Sequence, residues 1–202
     1  MSILSKEEII ARMDEGPLKD RLVITPLLNR SQIGGVSVDL RLGFSFILLN
    51  RGNILAIDPM ESNAQSMLEK YQQRITLSRG GVFHLHPGEF VLGASLEYIA
   101  LPLNLTAHVT SRSSWGRVGL VIATAISVAP GFRGVITLEL ANVGVAPLAL
   151  RPGVRVAQII FTWTKPTHSY AGRYTCPTAP EFGKIHLDPD LKFWSGPSGH
   201  AG

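Results

Sequence analysis

The chain's 202 residues are enough for one domain with a sizeable core, and 45% hydrophobic against 17% charged side chains excludes extended disorder outside the small, Gly/Pro-rich stretch 195–202. The formal charge of +4 is scattered, with no Lys/Arg run that would track a phosphate backbone, so a polyanionic small ligand is expected and nucleic acid is not. A single cysteine, Cys176, excludes an internal disulfide and a cysteine-rich zinc site; with no apolar run of membrane length and a charged N-terminus unlike a signal peptide, a cytoplasmic protein with no membrane partner is expected.

In chain order, Ser5-Lys6-Glu7-Glu8 is a capping box ahead of Ile9, Ile10 and Met13 on one face, which predicts a short helix ending near Gly16. A second short helix is predicted from about Ser62, with Met67, Leu68 and Tyr71 as its apolar side. Most of the rest reads as short strands bounded by Gly, Pro or Asn, at residues 36–40, 44–48, 82–86, 89–94, 106–110, 135–141, 146–150 and 154–162. Many short strands with close turns and one or two short helices point to an all-β dominated fold, a jelly roll or barrel, in one domain over 1–202. The Pro152-Gly153 turn between two apolar strands reads as a structural hairpin without chemistry.

Two segments offer chemistry. Residues 111–119 set Arg112, Ser113, Ser114 and Arg117 beside Gly116 and Gly119. Guanidinium groups and hydroxyls suit phosphate oxygens, and glycine lets backbone N–H groups approach an anion; the same residues would also make a solvated polar turn. Residues 130–142 place Glu139 inside an apolar strand, where alternation puts Thr137, Glu139 and Ala141 on one face and Ile136, Leu138 and Leu140 on the other. Such a carboxylate is either exposed on a wet face or a general base in a pocket.

Taken together, Arg112-Ser113-Ser114, Arg117 and Gly119, the pair Thr124-Ala125, the run Pro130-Gly131-Phe132 with Ile136-Thr137-Leu138-Glu139, and the Arg151-Pro152-Gly153 turn resemble the dCTP deaminase family of the trimeric dUTPase-like superfamily. Gly35-Val36-Ser37-Val38-Asp39-Leu40-Arg41 and His86-Pro87-Gly88-Glu89 match that family's early strands in the same order. The resemblance implies a distorted jelly roll of the dUTPase-like type, a homotrimer with intersubunit sites, and metal-free hydrolysis of dCTP to dUTP and ammonia. It implies that Arg112, Ser113, Ser114 and Arg117 hold the triphosphate with its Mg²⁺, Ser113 and Arg117 also acting at the catalytic centre. Glu139 would activate the attacking water, and the Ala125 carbonyl beside Thr124 would orient it. Thr137 and Leu138 would flank the base. In the segment 163–202, Tyr170 and Arg173, within Tyr170-Ala171-Gly172-Arg173-Tyr174, would close over the nucleotide. No zinc is implied.

The chain departs from the family pattern twice. Ala129 stands where the family carries an aspartate for the sugar 3′-hydroxyl, with Ser127 a local substitute, and the proline-containing stretch 175–183 replaces a Gln/Gly-rich lid with something stiffer. Besides deamination, these departures leave a non-catalytic or retuned nucleotide-binding protein as a second reading and a dUTP diphosphatase as a third.

Overall fold

The computed structural model describes residues 2–50, 52, 56–61, 63–123, 127–165, 168 and 170–194. Helix α1 (Lys6–Asp14) starts at the predicted capping box. Ser5 Oγ accepts the Glu8 N–H at 3.3 Å and the Glu8 carboxylate accepts the Ser5 N–H at 2.8 Å, so two otherwise orphaned donors are satisfied. Gly16 follows at φ 84°, a left-handed value that stops the helix at little cost for glycine. Ile9 is fully buried, and the Arg12 guanidinium lies 5.1 Å from the Trp163 ring.

Strands β1 (Val23–Thr25), β2 (Val38–Arg41), β3 (Ser45–Leu49), β4 (Gln72–Thr76), β5 (Phe83–Leu85), β6 (Phe90–Ala100), β7 (Leu105–Ser111), β8 (Leu120–Ile122), β9 (Ser127–Val128), β10 (Arg133–Asn142), β11 (Leu148–Leu150) and β12 (Arg155–Trp163) carry the fold. They form one sheet in the order β4-β3-β6-β10-β8, with β1 also on β6, a second in the order β2-β12-β7-β9, and a β11-β5 pair. Leu40, Leu42, Phe46, Leu138, Leu140, Ile159 and Phe161 meet in a single core. Phe46 and Phe83 stack at 5.0 Å, joining the larger sheet to the β11-β5 pair.

Three expectations change. The run around Pro152-Gly153 is no hairpin: β11 pairs with β5, whereas β12 pairs with β2 and β7, so the turn carries the chain from one sheet to another. Two equally apolar strands cannot be assigned to one sheet by hydrophobicity alone. Helix α2 (Ala64–Lys70) begins after Asn63, whose side chain makes no capping bond, Ser62 lying outside the described residues, and two single turns, α3 (Ser113–Gly116) and α4 (Leu191–Trp194), add to the two predicted helices. Strand β6 runs six residues past the predicted end at Ala94, to Ala100.

That extension contains the main irregularity of the larger sheet. Val135 pairs with Tyr98 and Thr137 with Ala94, so Ser95, Leu96 and Glu97 face the single residue Ile136. Ser95 Oγ fills the ladder, accepting the Ile136 N–H at 2.8 Å and donating to the Glu97 carbonyl at 2.7 Å. The bulge turns the Glu97 side chain into the interior. There its carboxylate accepts from Arg41 Nε at 2.6 Å, the Arg41 N–H at 2.8 Å and Gln32 Nε2 at 3.0 Å. These contacts satisfy the carboxylate, as a buried ion pair requires, while Arg41 Nη1 is buried without a hydrogen-bond partner among the described residues.

Candidate active site

Strand β10 presents its two faces as alternation predicts. Leu138 and Leu140 are fully buried in the core, while Thr137 and Glu139 are half-buried on the other face. That face forms one wall of a cavity of about 240 Å³, shared with Leu92 of β6, Ser127 and Val128 of β9, Ala129, Phe132, and Tyr170, Tyr174, Pro177 and Glu181 from the C-terminal segment. Its volume lies just below the roughly 300–1,000 Å³ usual for small-ligand sites. Burial pushes the Glu139 carboxyl above its ordinary value. A carboxyl so shifted holds and releases a proton nearer neutrality, as a general base that must later act as an acid requires.

The C-terminal segment crosses the cavity and is pinned to its walls. The Tyr170 N–H donates to the Pro130 carbonyl at 3.0 Å, and the Tyr170 ring meets Phe132 edge-on at 5.9 Å. The Val135 N–H donates to the Pro177 carbonyl at 2.8 Å. Gly134 lies at φ 147°, and a Cβ there would overlap the Pro177 ring, so the segment's close approach depends on that glycine. The Glu181 N–H donates to Thr137 Oγ1 at 3.2 Å, and Arg74 Nη1 of β4 donates to the Pro180 carbonyl at 3.0 Å.

The phosphate-type residues stand elsewhere. Ser113, Ser114 and Arg117 are exposed on α3 and its C-terminal cap, and neither they nor Arg112 line the cavity of a single chain. Arg112 Nε lies 3.3 Å from Asp39 Oδ1. The same carboxylate accepts from Arg155 Nη1 and Gln158 Nε2, each at 3.1 Å. Two guanidinium groups thus share one carboxylate and leave net positive charge beside α3.

Other expected residues are placed as follows. The Leu138 side chain belongs to the core and does not line the cavity. Arg173 points away, 3.7 Å from Asp188 and 3.4 Å from the Lys184 carbonyl. Thr124 and Ala125 lie outside the described residues. The Ala123 N–H donates to the Glu139 carbonyl at 2.9 Å, which brings the start of that stretch against β10. Ala129 and Ser127 both line the cavity. Among the described residues no three His, Cys, Asp or Glu side chains are grouped so as to hold a metal ion, and no helix is long and apolar enough to cross a membrane.

Asp39, Phe132 and Glu181 carry no assigned role at the level of sequence, whereas Tyr174 belongs to the closing element and does line the cavity. Asp39 sits in the matched segment Val38-Asp39-Leu40-Arg41, which is a usable signal; Glu181, one charge among prolines, offers none.

Comparison with known proteins bears on this geometry. Residues 3–164 match the family described as dCTP deaminase-like. The chain is 42% identical over 197 residues to a dCTP deaminase of Haloarcula marismortui, covering 94% of this chain and 97% of that one. It is 45% identical over 194 residues to a dCTP deaminase, dUMP-forming, of Dictyoglomus thermophilum, covering 92% and 96%. Among solved structures it resembles the 2′-deoxycytidine 5′-triphosphate deaminase of Agrobacterium tumefaciens, with a TM-score of 0.59 and 25% identity, over 79% of this chain and 46% of that longer one.

Proposed function

The chain belongs to the dCTP deaminase-like family, and from that membership we propose that it hydrolyses dCTP to dUTP and ammonia, with Glu139 as the proton-transferring group. The observation that carries the reading is Glu139 itself, a half-buried carboxyl with a raised pKa on the wall of an open cavity. In the proposed reaction Glu139 takes a proton from a water molecule as the water's oxygen bonds to C4 of the base. The C4–N bond then breaks, and the proton held by Glu139 leaves with the amine as ammonia. A backbone carbonyl at Ala125 would orient the water. Thr137 and the Leu138 backbone would flank the base, and Tyr170 would cover it.

The triphosphate would bind at Arg112, Ser113, Ser114 and Arg117. Mg²⁺ would arrive bound to the phosphate oxygens, reducing the charge these residues meet. Because they do not line the cavity of their own chain, we infer that the site is completed between copies in a homotrimer. An apolar row on the outer face supports this: Val121, Ala141 and Phe90 lie side by side on β8, β10 and β6, and the adjacent Val118, Val143 and Val145 are exposed. Such a patch at a site rim suits a second copy. The inventory fits a cytoplasmic enzyme of nucleotide metabolism with a small-molecule partner.

The Dictyoglomus relative is named dUMP-forming, so loss of pyrophosphate is the second activity to measure. Purified protein with Mg²⁺ and each canonical nucleoside triphosphate, followed for ammonia and pyrophosphate together, tests the reading. Ammonia from dCTP is expected; tight binding of a cytosine nucleotide without any ammonia would replace the enzyme with a binding protein.

A further inference from the structure

We propose that Glu181 is a substrate-contacting, specificity-determining residue, a carboxylate carried into the cavity by the C-terminal segment to accept a hydrogen bond from the nucleoside, either from a sugar hydroxyl or from the base amine. The inference rests on the deaminase reading and deepens it.

Glu181 reaches the cavity by construction. The segment is held up to it by the Val135 N–H on the Pro177 carbonyl, by Arg74 on the Pro180 carbonyl and by its own N–H on Thr137 Oγ1, and beyond it by the Lys184 N–H on the Tyr174 hydroxyl. Its backbone is therefore fixed against β10 two residues from Glu139, whatever its side chain does. Lys184 Nζ then lies 2.7 Å from Glu181 Oε2, donates to the Arg173 carbonyl at 2.9 Å, and sits 5.0 Å from the Tyr174 ring. That clasp does two things. It neutralises Glu181, so that a second carboxylate can share a cavity with Glu139 without strong like-charge repulsion. It also commits one carboxylate oxygen only: among the described residues, Oε1 accepts nothing.

Elimination points the same way. A nucleoside buried here must place its own donors on acceptors, because an unmet buried donor costs binding. Leu92, Val128, Ala129, Phe132 and Val135 offer apolar side chains. Thr137 Oγ1 already accepts from Glu181, and the Tyr174 hydroxyl from the Lys184 N–H at 3.1 Å. Glu139 is reserved for water. The Tyr170 hydroxyl accepts from the Tyr174 N–H at 3.4 Å, so beside the Ser127 hydroxyl Glu181 is the remaining carboxylate among the lining residues, and it reaches the site only when the C-terminal segment is seated. Recognition of the nucleoside and closure of the cavity are then one event.

The test compares wild type, Glu181→Ala and Glu181→Gln with dCTP, its 2′,3′-dideoxy analogue and dUTP, reading ammonia release and calorimetric Kd. A hydrogen bond to a charged acceptor corresponds to a loss of roughly tenfold or more. Glu181→Ala should raise KM and Kd for dCTP by that factor, with kcat falling much less and Glu181→Gln lying between. The penalty should shrink below twofold for whichever ligand lacks the partner, the dideoxy analogue assigning it to the sugar and dUTP to the amine. A dCTP Kd unchanged within twofold, or an equal loss on all three ligands, overturns the proposal; equal melting temperatures of the variants show that the fold is intact. If wild type releases no ammonia yet Glu181→Ala still loses affinity for one ligand selectively, the deaminase reading fails and the contact stands.

Discussion

Asp39 stands between Arg112 and Arg155, its carboxylate 3.3 Å from the one guanidinium and 3.1 Å from the other. Arg112 is thereby held at the start of α3 before any ligand arrives, whereas Arg117 at the other end of α3 is exposed. The two arginines should respond differently to change. Asp39→Ala leaves two partly buried guanidinium groups and Gln158 without their acceptor and should destabilise the fold by roughly 1–3 kcal/mol, measured by denaturant titration.

Arg117→Ala should leave stability within about 0.5 kcal/mol, as exposed substitutions do. It should instead weaken triphosphate binding strongly and monophosphate binding much less. Equal losses for both ligands in calorimetry would make Arg117 structural.

Glu139→Gln keeps the shape and removes the proposed proton shuttle. Ammonia release should fall by at least about 10²–10⁴-fold, with nucleotide binding and assembly retained. Near-normal turnover in the variant would end the proposed mechanism.

The same residue predicts a pH signature. Because burial raises the folded-state pKa of Glu139, the carboxyl favours the fold while protonated. That contribution is complete below the ordinary glutamate value near about 4.3 and is lost as pH rises through the raised one. Glu139→Gln should melt above wild type at neutral pH, and the two curves should meet in acid. A wild type that melts higher at pH 7 would contradict the burial argument.

Assembly is tested at the apolar row. Light scattering should give a trimer at micromolar concentration. Val121→Arg, at the edge of the larger sheet, should shift the population to monomer and abolish turnover while leaving circular dichroism unchanged. A wild-type monomer would remove the intersubunit site.

Glu97→Ala should cost about 3–5 kcal/mol, because the Arg41 guanidinium, buried on every side, would lose its counter-charge. Thermal unfolding should drop on the order of 10 °C. Replacing both residues with apolar side chains should recover much of the loss.

Alternation made most of the core legible: Ile136, Leu138 and Leu140 face inward and Thr137 and Glu139 outward as a period of two requires. It also made β2, β3, β5, β7, β10 and β12 legible to within two or three residues. What stayed hidden depends on partners distant in sequence. Strands β1, β4, β8 and β9 are short or polar, and their ladders rather than their side chains define them. The inward turn of Glu97 comes from the bulge opposite Ile136, and a lone glutamate in an apolar run gives no sign of it. Glu139 was visible as a carboxylate in a strand, but the cavity it lines is built with the distant C-terminal segment and could not be read from alternation. The C-terminal segment was visible as stiff, and where it seats depends on Gly134.

The pairing of β2 with β12 has a consequence for synthesis. Arg155, on the strand that must pair with β2, follows Asp39 by 116 positions, and Leu4 likewise waits for Phe161 to accept its N–H. At about 5–20 residues per second, a nascent chain carries the strand Val38–Arg41 without its partner strand for roughly 6–23 s before β12 leaves the ribosome. The larger sheet can begin on the pairings of β3 with β4 and β6, all within residues 45–100, whereas the place of β2 is decided only once β12 has emerged.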